Sequence, residues 1–193
     1  MKRRMFILLL TSVMLFTNGC ALGTGNITQD TIVVNKKGAV SGIIVEDFSK
    51  DYYNGEELNQ MIQEEIAAYD SSSEKVKLNK FEITEDNKVY ADISYATDED
   101  YKAFNDTDFF NGTVSEAYDA GYAFADMQSV NSGESGLDAK SVLEKGNMKV
   151  VVFSEPVAVK VPGKIAYVSE GVSIIGKKEI RTENEGTFYI IYE

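Results

Sequence analysis

Hydrophobic positions change their spacing several times along the chain, and each spacing predicts a type of element. Two β-rich runs at 31–34 and 39–45, separated by a turn cluster at 35–38, predict an opening hairpin. From Asn54 onwards, apolar residues recur every three or four positions, as on one face of an α-helix, until polar residues at 70–73 end the pattern. The chain is thus predicted to begin with a hairpin and an amphipathic helix.

A second hairpin is predicted directly after this helix. Apolar and polar side chains alternate over 89–95, which places four residues on one face of a strand: Val89, Ala91, Ile93 and Tyr95. The partner strand runs over 76–83. Residues 98–104 predict a short helix, and 114–124 predict another.

The C-terminal third predicts a β-meander after a loop rich in serine and glycine at 129–146, which holds one helical turn at 139–144. Its strands are expected at 148–153, 158–161, 164–168, 172–175 and 188–192. The uninterrupted apolar run at 150–153 is typical of a strand covered on both faces, at the centre of a sheet. The predicted fold class is therefore α+β, with antiparallel hairpins flanking an amphipathic helix and a C-terminal β-meander.

The first nineteen residues predict an export signal. Lys2, Arg3 and Arg4 form a cationic start, and residues 5–16 form an apolar run. That run is too short for a permanent span, since a transmembrane helix needs about 20 apolar residues.

The end of this segment, Thr17-Asn18-Gly19-Cys20, resembles the lipobox of bacterial lipoproteins, although that family usually carries Leu where Thr17 stands. The resemblance implies cleavage between Gly19 and Cys20 and a diacylglyceryl group, with acyl chains such as palmitate, on Cys20. The alternative is an incidental cysteine behind an ordinary signal. Cys20 is the chain's single cysteine, so no disulfide partner exists within the chain, and this favours lipidation.

These features divide the chain into a signal peptide at 1–19, a lipidated tether at 20–30 and an α+β domain at 31–193. Two arrangements of the domain remain open. It is one body, or it forms two lobes at 31–128 and 147–193, joined by a flexible loop at 129–146.

Net charge excludes one class of partner. The chain carries 19 Lys and Arg against 31 Asp and Glu, a formal charge of −12, and loss of three cations with the signal peptide leaves −15. Proteins bind nucleic acid through Lys and Arg that neutralise phosphates, so no nucleic-acid partner is expected. Membrane lipid is expected as a partner through the Cys20 anchor rather than through charge.

Catalytic motifs are weak. The chain contains no histidine, which excludes Ser-His-Asp and Cys-His catalysis and histidine-based metal sites. Ser72 and Lys75 match S-x-x-K, but they lie in a polar loop and no K-T-G element accompanies them, so an ordinary loop is the better interpretation. A glycoside hydrolase that uses two paired carboxylates stays open as an alternative, although 31 acidic residues make chance pairs common. We assign no catalytic residue.

The best cation candidate is the loop at 105–112, with Asp106 and Asp108. It departs from an EF-hand because Phe110 takes a ligand position, the glycine comes one place late and the closing glutamate is missing. No metal and no cofactor are assigned. Four tyrosines are weighed as stacking surfaces for a sugar or peptide and interpreted as half-buried packing residues: Tyr52, Tyr53, Tyr118 and Tyr122.

The residue pattern of the C-terminal stretch from Val161-Pro162-Gly163 to Tyr192 resembles that of small uncharacterised lipoproteins of Gram-positive gut bacteria, over about a third of the chain. The resemblance implies a lipid-anchored protein on the extracytoplasmic face of the cell membrane. We expect a non-enzymatic module that binds a small ligand or an envelope protein. Two alternatives stay open: a carboxylate-dependent cell-wall hydrolase, and a structural subunit of a membrane complex.

Overall fold

The computed structural model describes residues 27–72, 74–132 and 136–193, and it confirms the α+β class. The strands of this described part are β1 (Thr31–Val34), β2 (Val40–Asp47), β3 (Val76–Ile83), β4 (Lys88–Tyr95), β5 (Phe109–Thr113), β6 (Gln128–Ser129), β7 (Lys149–Phe153), β8 (Ala158–Lys160), β9 (Ile165–Val168), β10 (Ser173–Gly176), β11 (Glu179–Arg181) and β12 (Phe188–Tyr192). Its helices are α1 (Gly55–Tyr69), α2 (Asp98–Asn105), α3 (Val114–Asp119) and α4 (Ala139–Leu143).

Contacts group the described chain into two compact units. The first unit holds residues 27–30 and 42–94, and the second holds 31–41 and 95–193. This grouping by contacts differs from the two lobes considered above. Whether a flexible loop at 129–146 separates moving lobes stays a prediction.

The first unit is built from α1 and the hairpin of β3 and β4. The Asn54 side chain accepts a hydrogen bond from the backbone N–H of Glu56 and begins α1 where the sequence predicts, and the helix ends before Asp70. Alternate residues of β4 are buried from Val89 to Tyr95, which confirms the predicted two-residue period. β4 lies between β2 and β3 in its sheet.

The second unit contains a five-stranded sheet in the order β5-β7-β12-β9-β6. Strand β7 is hydrogen-bonded on both sides, with Val151 opposite Asn111 of β5 and opposite Ile190 of β12. Residues 150–153 are fully buried. The central position predicted from the apolar run is therefore confirmed.

The other strands of the second unit belong to the second sheet of the fold. β1 pairs in parallel with β8, β11 pairs antiparallel with β8, and β10 forms the edge. The C-terminal meander is confirmed, with its strands shared between the two sheets: β9 and β12 belong to the five-stranded sheet, and β10 and β11 to the other. Buried Thr182 follows β11, where the chain leaves this sheet for β12. Its hydroxyl donates a hydrogen bond to the carbonyl of Glu155 and accepts one from the N–H of Val157.

The main core of the second unit lies between the five-stranded sheet and the short helices. Its members include Phe124, Met127, Val152 and Ile191, all at most 1 % exposed. Burying such side chains contributes about 1.5 to 3 kcal/mol each. This core holds α3 and α4 on the sheet.

Four local predictions need correction. β5, β6 and β11 lie where no strand was predicted, and the helix predicted over 114–124 ends at Asp119. The helix stops because Gly121 adopts a φ of +94°, a left-handed conformation that terminates helices.

Candidate functional site

The predicted lipidation site, Cys20 with the cleavage position Gly19, lies outside the described residues. The same holds for the signal peptide and for most of the tether. These stay predictions. No helix in the described ranges is long and apolar enough to cross a membrane.

The cation candidate at 105–112 uses its best carboxylate internally. Oδ1 of Asp108 accepts hydrogen bonds from Nζ of Lys102 at 2.7 Å and from the hydroxyl of Tyr122 at 3.0 Å. The bond from Lys102 holds the pKa of Asp108 below its usual value. Asp106 ends α2 in a left-handed conformation. Across the described ranges, no cluster of three metal-ligating side chains forms.

The S-x-x-K match forms the turn that ends α1. Ser72 Oγ and the backbone N–H of Lys75 both donate to the carboxylate of Asp70, each at 2.7 Å. These bonds, with that of Lys75 first, lower the pKa of Asp70 to about 2. The serine hydroxyl thus serves an exposed turn, as the loop interpretation requires.

The four tyrosines are divided between packing and exposure. Tyr53 packs its ring on Phe48 at 5.0 Å and on Tyr52 at 5.1 Å, and Tyr122 packs on Phe110 at 5.4 Å. Tyr52 and Tyr118 are each 51 % exposed. Burial, with the bond to Asp108, raises the pKa of Tyr122 to about 12.

Two carboxylates of the first unit are held in unfavourable surroundings. Burial raises the pKa of Asp30, although Oδ1 accepts a 2.8 Å bond from the N–H of Val45. Burial and the charge of Asp30 raise the pKa of Glu46. They form one acidic pair relevant to the hydrolase alternative.

A polar cleft in the second unit was missed by sequence reasoning. It encloses about 430 Å³ and is lined by the turn at 35–38, Asn111, Lys149, Pro162 with Gly163, and Tyr192 with Glu193. We call it the lysine cleft, because Lys36, Lys37 and Lys149 line it. The paired lysines of the turn are the only signal in the sequence, and nothing there connects them with Lys149.

Backbone geometry builds the lysine cleft. Gly38 completes the turn with a φ of +87°, and Nδ2 of Asn111 donates a 3.0 Å hydrogen bond to its carbonyl. Gly163 lies so close to the backbone of Glu193 that an added Cβ would overlap it. The hydroxyl of Tyr192 lies 3.5 Å from Oδ1 of Asn111, and burial raises the pKa of this tyrosine. The cleft is therefore held by contacts that demand specific residues.

The charge around the lysine cleft differs from that of the whole chain. Ion pairs between described residues join Lys80 to Glu82, Lys88 to Asp86, Lys102 to Asp108, Lys160 to Glu179 and Arg181 to Glu183. None of these pairs includes a lysine of the cleft. Glu193 is the single acid of the lining, and Glu116, near Lys149, bonds mainly to Thr113. The lining thus contains three lysines and one acidic residue, with Glu116 as a further carboxylate near Lys149.

A second, smaller cleft of about 240 Å³ lies beside α4. Its lining is mixed, with the hydroxyls of Ser129 and Ser141, the ring of Tyr167 and one adjacent pair of opposite charges, Glu144 and Lys145. Such a lining carries little net charge. It offers no group of unpaired cations like that of the lysine cleft.

Comparison of the chain with protein-family models, with curated proteins and with solved structures finds no match.

Proposed function

We propose that this protein is a membrane-anchored extracytoplasmic lipoprotein that acts as a non-enzymatic binding module and takes an anionic ligand in the lysine cleft. One observation carries the binding part of the proposal. Lys36, Lys37 and Lys149 line one cleft without an ion pair between described residues, in a chain with a formal charge of −12. Unpaired cations of this kind attract anions from solution.

The anchor follows from the lipobox resemblance. Each buried methylene of an acyl chain contributes about 0.8 kcal/mol, so two or more chains on Cys20 would hold the protein permanently on a bilayer. The acidic chain would be repelled by anionic lipid. Attachment therefore rests on the lipid.

Binding is favoured over hydrolysis because of how carboxylates are distributed. Each of the two clefts carries one acid, Glu193 or Glu144, whereas glycoside hydrolysis needs two that face the same bond. Asp30 and Glu46 belong to neither lining. The hydrolase alternative thus lacks a cleft with paired acids among the two described.

A protein partner is the second candidate function, and one observation favours it. The edge strand β10 exposes two large apolar side chains, Ile174 at 45 % and Ile175 at 57 %. An edge strand also offers backbone groups for pairing. Replacement of both residues by serine would abolish such an interaction without changing the lysine cleft.

Two experiments test the proposed function. The anchor is tested by detergent-phase partitioning of wild type and Cys20→Ala, where wild type alone should enter the detergent phase. Binding is tested by co-sedimentation with protein-free envelope fragments from the producing cells. Retention should be lost in the variant Lys36→Gln, Lys37→Gln, Lys149→Gln. Equal partitioning would refute the anchor, and equal retention would refute the binding site.

A further inference from the structure

We infer that the ligand of the lysine cleft is a phosphate-bearing polyanion. This inference rests on the proposed function and names its ligand class. It starts from the cations available at the cleft. Lys36, Lys37 and Lys149 are exposed and form no ion pair within the described residues.

Two further lysines near the lysine cleft add to its positive charge. Nζ of Lys164 donates to Oδ1 of Asn131 at 2.8 Å, and Nζ of Lys178 donates to the carbonyl of Pro162, itself a lining residue, at 2.6 Å. Both partners are neutral oxygens. Their charges therefore add to the positive potential at this end of the second unit instead of cancelling against carboxylates.

The type of cation selects the anion. Arginine presents a planar fork that matches carboxylate and phosphate alike in two parallel bonds, whereas lysine acts as a point charge and is a common phosphate ligand. The lining of the lysine cleft contains three lysines and no arginine. Several point charges around an open cleft suit an anion whose charge is spread over several phosphate groups.

The size of the cleft favours more than one phosphate. A volume of about 430 Å³ lies within the range of small-molecule sites, about 300 to 1,000 Å³. Lys36 and Lys37 come from the turn after β1, and Lys149 comes from the start of β7. A chain of linked phosphates can contact both walls at once and gain from each contact.

The place of the cleft relative to the tether bears on the source of the phosphate. β1 begins at Thr31, next to the predicted tether, and ends at Val34, before the turn with Lys36 and Lys37. Four strand residues span about 13 Å. The cleft is thus one strand length along the chain from the predicted tether, and the titration below distinguishes the two sources of phosphate, a polymer in solution and headgroups of the anchoring bilayer.

The test is calorimetric titration of the full-length lipidated protein in neutral detergent micelles. The probes are short-chain inorganic polyphosphate, inorganic phosphate and polyglutamate of similar charge, and a separate arm adds phosphatidylglycerol to the micelles. The triple variant is Lys36→Gln, Lys37→Gln, Lys149→Gln. Its matched control is Lys75→Gln, Lys77→Gln, Lys80→Gln, which removes the same charge from the first unit. Thermal unfolding establishes that both variants fold.

We expect polyphosphate to bind more tightly than phosphate and than polyglutamate, and the triple variant to weaken binding about tenfold or more, as loss of three exposed charge contacts predicts. The control variant should change it less than about threefold. Lysine-dependent interaction with phosphatidylglycerol alone would support phosphate recognition with a lipid source.

Two results would overturn the inference, and they differ in what they leave standing. Equal, lysine-dependent binding of polyglutamate would refute phosphate selectivity and leave the proposed anion site intact. Binding that is absent, or equal in the triple variant and its control, would remove the lysine cleft as a binding site and the proposed function with it.

Discussion

Nδ2 of Asn111 donates a 3.0 Å hydrogen bond to the carbonyl oxygen of Gly38, and this bond joins the turn after β1 to strand β5. Thr113 of the same strand is paired with Lys149 on β7. One strand thus holds two lysines of the turn and the third lysine at the same cleft. The site depends on this connection.

Replacement of Asn111 by alanine should release the turn. Loss of one partly buried hydrogen bond costs about 1 kcal/mol of unfolding free energy. Amide hydrogen exchange at 36–39 should accelerate, and polyphosphate affinity should fall. Asn131→Ala is the control, because it removes only the exposed acceptor of Lys164. Unchanged exchange at 36–39 would show that other contacts hold the turn.

Gly163→Ala tests the close approach that shapes the cleft wall. An added Cβ would overlap the backbone of Glu193 and lie 2.9 Å from Cδ2 of Tyr192. Forced overpacking of this kind should lower the free energy of unfolding by about 1 to 3 kcal/mol, and urea unfolding measures this change. Gly176→Ala is the matched control, because no atom lies within 4 Å of its added Cβ. Equal stability of the two variants would contradict the described approach.

Tyr101→Phe should destabilise the second unit. The hydroxyl of Tyr101 donates a 2.8 Å hydrogen bond to Oε2 of Glu155, and its side chain is only 5 % exposed. Removing a donor from a partly buried carboxylate costs about 1 to 2 kcal/mol. Tyr118→Phe, at a residue 51 % exposed, should change stability by less than about 0.5 kcal/mol. Chemical denaturation of both variants decides between a structural bond and an incidental contact.

Asp30→Asn should stabilise the protein as the pH rises above 3.8. Burial raises the pKa of Asp30, so the folded protein holds this proton more tightly than the unfolded chain does, and the stability contributed by Asp30 falls as pH rises through the raised pKa. Asparagine keeps an oxygen acceptor for Val45 and carries no charge. The variant should therefore gain stability relative to wild type between pH 3.8 and neutrality.

Asp70→Asn should change the stability in the opposite direction. Its folded pKa is lowered to about 2, so its contribution is present above the ordinary value of 3.8 and is lost as pH falls towards 2. This variant should be less stable than wild type near neutrality and equal to it in strong acid. Urea unfolding at several pH values measures the stability of both variants relative to wild type. A stability change in the same direction for the two variants near neutrality would contradict the environments assigned to Asp30 and Asp70.

Local signals explain what could be predicted from the sequence. Asn54 begins α1 through a hydrogen bond to a backbone group two residues away, and β4 buries every second side chain. The apolar run of β7 predicts its central place by itself. Each of these features is determined by residues that are neighbours along the chain.

Non-local pairing explains what could not be predicted. β5 contains Asn111 and Gly112, which disfavour strands, and it forms because β7 supplies a full ladder of partners. The lysine cleft has the same origin. Lys36 and Lys149 are far apart in sequence, and the connection through Asn111 leaves no periodic pattern.

A ¹⁵N NMR titration of the protein with polyphosphate tests the lysine cleft directly, because it reports which residues the ligand contacts. Amide shifts should be concentrated in the turn at 35–38, at Lys149, at Gly163 and at Tyr192, and they should be lost when the three cleft lysines are replaced by glutamine. Shifts centred on Lys75, Lys77 and Lys80, or on the smaller cleft at Ser129 and Ser141, would contradict the proposed site.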